Sequence, residues 1–416
     1  MIFNALPVQT DIRSAKDVDY HPRNAENTGP LEFVIPGSGD EYIDVNNIEL
    51  NIKFKILKAD GSVIAAADEV GVNNLPIATI FRDVTLHIGD RQIEGGQQDY
   101  AHKAYFHNIM QFHPAAQKSH MKALGWYRDE AGKFDDKTNK GFVARQKLTA
   151  GSKTCELHGP IYLDFFNQNR PLISNTDMRL KFTFQKPEFL LNSYKPTDCK
   201  IKILDMTLYV RRLLMNPSVI QGHMTGLNTQ NALYPLNHTE LQKYTVPAGG
   251  KTFRKDNLFP AQSPKLILVA MTTEKAYSGD YGANPFNFQH FNLNEIALLS
   301  DGSSVPGPRF KPDFDKGLFI RDYSSLMGAF KYVNTDDSNG LTLQEFAGGT
   351  LIYAFNRTPD NDVASDHRHP NLGENLRLDI GFKTALAETI CVLIYAIFDS
   401  QLQITKLRDV IADYHN

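Results

Sequence analysis

Cysteine is scarce in this 416-residue chain: Cys155, Cys199 and Cys391 are odd in number and widely spaced. That excludes a disulfide framework and suits reduced thiols, in the cytosol or nucleus, serving as packing residues. Charge of one sign is also missing. Lys and Arg number 44 against 47 Asp and Glu, and a net charge of −3 supplies no global field to draw in nucleic acid or an anionic membrane. Any contact with a polyanion has to be local. No apolar run is long enough to span a bilayer, because the longest, Ile390 to Phe398, falls well short of the ~20 residues a spanning helix needs. The opening Met1-Ile2-Phe3-Asn4-Ala5-Leu6-Pro7 lacks the basic and apolar regions of a secretory signal, so none is expected. Without secretion, the sequons at Asn237 and Asn356 carry little meaning.

What the chain has is hydrophobic material, 42% of residues with 11% aromatic, enough for two cores rather than one. Its dominant pattern is strict alternation. Ile48, Leu50, Ile52, Phe54 and Ile56 are interleaved with Glu49, Asn51, Lys53 and Lys55, the mark of a strand with one buried face. The pattern returns at Met178, Leu180, Phe182 and Phe184, and at Leu376, Leu378, Ile380 and Phe382, with Arg179, Lys181, Arg377 and Asp379 expected outside. Residues 264–271 and 389–398 are continuously apolar and β-branched, which predicts strands buried on both faces or at a subunit contact. Counting such runs predicts an all-β chain: two eight-stranded antiparallel jelly rolls with a few helices in the loops.

The expected organisation is an extended N-terminal arm over 1–30, a first jelly roll over 31–216, a linker over 217–236 and a second jelly roll over 237–416. The arm carries Pro7, Pro22 and Pro30 and more acidic than basic residues. It is therefore expected to brace a neighbouring subunit rather than wrap nucleic acid. Helices are predicted over 99–113 and along the face formed by Phe319, Tyr323, Leu326 and Phe330.

Four motifs could carry chemistry. His367, His369, Glu374 and Gly381 follow His-x-His-x4-Glu-x6-Gly, the metal-binding pattern of cupins, which are also jelly rolls. The pattern also wants glycine at 361, where this chain has Asn361, and a further downstream histidine, and only His415 follows. The expectation is a polar loop with two surface histidines. Asp336-Asp337-Ser338-Asn339-Gly340 suggests a calcium loop, but Thr335 and Phe346 stand where the first ligand and the bidentate Glu belong, so an Asx-rich turn is expected. Gly151-Ser152-Lys153-Thr154 lacks the upstream glycine of a phosphate loop and reads as a polar turn. His102, His107, His113 and His120 are spaced by five, six and seven, which puts no consecutive pair on one helix face. They read as scattered surface or packing histidines. Lys200, Lys202, Arg211 and Arg212 lie in strand patterns and are expected to face solvent. No catalytic, cofactor-binding or metal-binding residue is assigned.

The phrase from Gly29 through Pro36-Gly37-Ser38-Gly39 to Asp44, followed by the strand at Ile48, resembles the opening of the major capsid proteins of Polinton (Maverick) elements and adintoviruses. The likeness continues in family order through Asn73-Asn74-Leu75-Pro76, Tyr209-Val210-Arg211-Arg212, Ala232-Leu233-Tyr234-Pro235, Asn284-Pro285-Phe286-Asn287-Phe288 and Ile394-Tyr395-Ala396-Ile397-Phe398-Asp399. The resemblance implies a double jelly-roll, hexon-like, non-enzymatic structural protein without cofactor. Three copies would form a pseudo-hexagonal capsomer that tiles an icosahedral shell. The implied partners are the chain itself, neighbouring capsomers, a penton or minor capsid protein, and packaged double-stranded DNA contacted non-specifically, with no membrane insertion. The implied location is the virion capsid, assembled inside the host cell. The alternative left open by the residues is a cupin-like metal-dependent enzyme or a carbohydrate-binding jelly roll.

Overall fold

Side chains that alternate in the sequence alternate in space. Ile48, Leu50, Ile52, Phe54 and Ile56 are all buried, while the polar residues between them are half-buried or exposed. They lie in a computed structural model that describes residues 8–24, 29–194, 198–363, 367–370 and 373–413. In chain order its first half forms β1 (Ile12–Tyr20), β2 (Leu31–Ile35), β3 (Glu41–Lys58), β4 (Val70–Val72), β5 (Phe81–Ile88), β6 (Arg91–Glu94), β7 (Cys155–Pro160), β8 (Met178–Phe184), β9 (Leu191–Ser193) and β10 (Cys199–Met215). The second half forms β11 (Ala232–Val246), β12 (Thr252–Leu258), β13 (Leu266–Thr273), β14 (Leu293–Ser300), β15 (Ser303–Phe310), β16 (Ile352–Asn356), β17 (Leu376–Phe382), β18 (Ile390–Ile404) and β19 (Val410–Ala412).

Two sheets make each half. In the first, β1-β10-β3-β7 faces β2-β8-β5-β6, and in the second β11-β18-β13-β16 faces β12-β17-β14-β15. With the short β4, β9 and β19 set aside, both halves read 1-8-3-6 over 2-7-4-5, all antiparallel. That is one jelly roll built twice, as expected. The two share strand order although no sequence repeat is visible, because the order depends on which faces are apolar and not on which apolar residues supply them.

The segment read as an arm is partly a strand. β1 pairs with β10 from Ile12 opposite Met215 to Tyr20 opposite Leu208, so it closes its own sheet rather than leaving the chain. Alternation fails to announce it because it is an edge strand with polar side chains on most positions. Polar contacts hold it instead: Lys16 lies 2.6 Å from Glu41, and the Tyr20 hydroxyl accepts from Nε and Nη2 of Arg212 at 2.9 and 2.6 Å. Residues 1–7 and 25–28 of that segment lie outside the described residues.

The linker also differs from expectation. Asn216 caps a helix over Pro217–Gly226, its side chain accepting from the Ser218 amide, and Pro217 takes the first helical position, where no amide proton is needed. The chain is back in a strand by Ala232, because Tyr234 and Leu236 already point inward. The helices at Tyr100–Gln111 and Ile320–Ala329 form where predicted. The continuous apolar runs become β13 and the buried part of β18, which pair from Leu266 opposite Ile397 to Thr273 opposite Ile390. They are covered within this chain: Phe106 of the helix Tyr100–Gln111 stacks on Tyr395 at 5.3 Å.

The longest connection in each roll joins strands in the same topological position, β6 to β7 in the first and β15 to β16 in the second. These insertions pack on one another. Arg128 of the first reaches Gly340 O at 2.9 Å and Glu345 at 3.1 Å, and the Tyr332 hydroxyl of the second donates to Met110 O at 2.7 Å. Aromatic rings fill the seam between the rolls. Tyr105 lies flat on Phe286 at 4.2 Å, and Phe106 on Phe288 at 5.3 Å.

Candidate functional site

The connection from β16 to β17 turns back sharply after Thr358-Pro359, with Asn361 in the left-handed region at φ 57°. This turn aims the Asp360 carboxylate across the loop, where its Oδ1 accepts from the Asp362 amide at 3.0 Å. That bond, with a further one from His369, holds the Asp360 carboxyl down to about 2. His369 stands between two carboxylates. Its Nδ1 lies 2.8 Å from Asp399 Oδ2 in β18, and its Nε2 lies 3.2 Å from Asp360 Oδ1. Asp399 is anchored in turn by the Lys265 ammonium at 2.7 Å, which also donates to Asn237 at 2.7 Å. Burial would raise the Asp399 carboxyl, but the Lys265 ammonium and the His369 amide hold it below the usual carboxylate range.

His367 completes the group, its Nε2 2.9 Å from Asp360 Oδ2 and its ring centroid 4.9 Å from that of His369. Asp360, His367 and His369 thus bring one ligand atom each within 4.8 Å of one another. Glu374, the carboxylate of the sequence motif, goes elsewhere: it binds Arg357 and the Ser300 hydroxyl. The reading of two surface histidines is half right. The His367 side chain is 61% exposed and that of His369 only 10%. Beside them opens a cavity of about 450 Å³ lined by Lys265, Arg357, Arg368, His369, Asp399 and Asp413.

The other motifs resolve as structure. His102 is buried in the seam, stacked on Tyr277 at 5.0 Å, and His107 lies against Phe112 and Tyr162. Burial pushes both rings down to about 4. The His113 side chain caps a short helix, accepting from the Ala115 amide at 3.1 Å, and His120 is exposed. At 335–340, Asp336 and Asp337 are exposed, and the Asn339 side chain accepts from the Leu341 amide at 3.0 Å, which makes an Asx turn. The Ser152 hydroxyl donates to Ile56 O at 2.6 Å and accepts from the Ile64 amide at 2.9 Å, which pins a polar turn to β3. All three cysteines are buried, and burial pushes the Cys155 thiol up to about 11 and Cys391 to about 12. Such thiols are inert packing groups.

Two surface assignments are corrected. Lys200, Lys202 and Arg211 are exposed, but Arg212 is buried, its guanidinium held by Tyr20, Glu41 and Pro36 O. Neighbouring residues of a strand face opposite ways, and Arg212 continues the inward set of Leu208 and Val210 while Arg211 continues the outward one. Asp379 is also buried, because Arg254 at 3.1 Å, Arg377 at 3.2 Å and Arg309 at 3.8 Å close over it.

One buried ion pair left no trace in the sequence pattern. Arg145 bonds Asp129 at 2.8 Å, Val72 O at 2.9 Å and Tyr127 O at 2.5 Å. Asp129 also accepts from Asn139 at 2.9 Å and from Asn284 of the second roll at 3.3 Å. The group joins the first insertion to the second roll, and such a pair is costly to break once one partner is gone.

No protein-family model matches the chain. An uncharacterized protein of Caenorhabditis elegans is 24% identical over 421 residues, covering 97% of this chain and 98% of that one. Among solved structures, a chain of the Sputnik virophage superposes with a TM-score of 0.69 at 11% identity, over 98% of this chain and 90% of that one. The PBCV-1 virus capsid gives 0.64 at 12% identity with both chains fully covered. The mavirus major capsid protein gives 0.57 at 12% identity, over 99% and 92%. The fold is therefore that of the double jelly-roll capsid proteins of virophages and large DNA viruses, matched along the whole chain.

Proposed function

We propose that this chain is a structural major capsid protein of a virus or virus-derived element of the Polinton type, and that it works by assembly rather than catalysis. One observation carries the reading: two rolls of identical strand order stand in one chain, joined by a continuous apolar core. Three such chains around a threefold axis would present six similar walls, so a trimer could pack as a pseudo-hexagon among its neighbours. The likeness to viral capsid structures over the whole length supports the same role. The further partners proposed are a penton or minor capsid protein, and packaged DNA met non-specifically by exposed basic side chains. The cupin reading loses the carboxylate it was built on, since Glu374 is bound to Arg357.

Light scattering on the purified protein tests the proposal. Three chains of 46.8 kDa should give about 140 kDa. Electron microscopy of that species should then show hexagonal outlines. A monomer at micromolar concentration overturns the proposal.

A further inference from the structure

We propose that Asp360, His367 and His369 form a binding site for a divalent transition-metal ion of the zinc class, which ties together the two ends of the β16–β17 connection beside β18. The site rests on its own geometry and holds whether or not the chain trimerises.

The spacing supports it first. His367 Nε2 and His369 Nε2 lie 2.9 and 3.2 Å from the two Asp360 oxygens, and one atom from each residue falls within 4.8 Å of the others. A tetrahedral zinc ion with bonds of about 2.0–2.1 Å needs ligand atoms roughly 3.3 Å apart, so small side-chain rotations would admit it. The donor set selects the metal. Two imidazole nitrogens and one carboxylate suit zinc or a neighbouring transition ion, whereas calcium and magnesium prefer oxygen alone. Three protein ligands leave a fourth position for water, on the side where His367 is exposed.

The surroundings of His369 also suit a metal ligand. With Nδ1 against Asp399, the His369 ring aims its Nε2 at the Asp360 carboxylate 3.2 Å away, so both groups point at the same spot. The Asp399–His369 contact is also the arrangement that orients metal-binding imidazoles, a carboxylate on one nitrogen leaving the other for the ion. Lys265, buried behind Asp399, fixes that carboxylate in turn. The resulting chain of contacts runs from Lys265, just before β13, through Asp399 of β18 to the loop.

The test uses full-length protein stripped with a chelator and dialysed against Zn²⁺ or Co²⁺ alone, with bound metal counted by mass spectrometry and cobalt followed by its visible absorption. One ion per chain is expected for the wild type. His367→Ala and Asp360→Asn should each weaken binding at least about tenfold, and Asp399→Asn about 10–100-fold through loss of orientation. His367 is exposed, so His367→Ala keeps the test interpretable if another variant folds poorly; circular dichroism and solution mass of the metal-free variants check this. Absence of a stoichiometric ion on the wild type overturns the site and leaves a network of ion pairs. So does undiminished binding by a folded His367→Ala.

Discussion

His102 shows how much one side chain can decide. Its ring stacks on Tyr277, stands edge-on to Phe189 and Phe286, and feels the nearby Lys243 ammonium. Burial first, with that positive charge, pushes it from 6.5 down to about 4. The unfolded chain therefore binds more protons than the folded one between these values. The stability tied to the neutral ring is present above about pH 6.5 and is lost as pH falls through the window to about 4. At 1.36 kcal/mol per pH unit the loss reaches at most about 3 kcal/mol. His102→Phe keeps the stacking and cannot titrate, so its thermal midpoint should fall less than that of the wild type between pH 7 and pH 4.5. Equal falls would move the acid sensitivity to another group, His107 first, whose ring is also pushed down to about 4 by burial. Glu94 acts in the opposite sense. Burial and the neighbouring Asp164 raise it to about 8, so its contribution is full below pH 4.5 and fades as pH rises through 8.

At the scale of elements, β1 has the largest consequence for its size. It covers one edge of β10, the long strand that pairs with β3 on its other side. It also supplies the Tyr20 hydroxyl that two Arg212 donors need. Without it, β10 would present a row of unpaired amides and carbonyls, and Arg212 would be buried short of an acceptor. A chain starting at residue 21 is expected to melt lower and to aggregate at concentrations where the full chain stays soluble. An unchanged midpoint in differential scanning fluorimetry would mean that β1 is dispensable.

At the scale of the molecule, the two rolls share one core. Aromatic residues of the β6–β7 insertion lie against Phe286, Phe288 and Tyr395 of the second roll, and Asp129 links Arg145 to Asn284. Neither roll can open without exposing this seam, so calorimetry should record one unfolding transition. Two resolved transitions would show that the rolls are energetically separate, and that the seam contributes less than its burial implies.

Periodicity was enough to read the strands, because alternation states directly which face of a strand meets the core. Ile48 to Ile56 and Leu376 to Phe382 are buried as their spacing requires. The two-roll fold and the helices at Tyr100–Gln111 and Ile320–Ala329 were legible for the same reason. Where one face is not apolar the signal fails, so β1, polar on most positions, read as an arm. Partners across space were beyond reach. Asp360 rather than Glu374 meets His367 and His369, and Asp399 reaches His369 only because β18 runs beside the β16–β17 connection. Arg212 is buried because Tyr20, Glu41 and Pro36 O meet its guanidinium on the inward face of β10, and Asp379 because three arginines close over it. The sequence by itself determined which strand faces are dry, since each residue's own hydrophobicity decides that. The tertiary structure alone decided which charges meet, since those distances are set by how the sheets close.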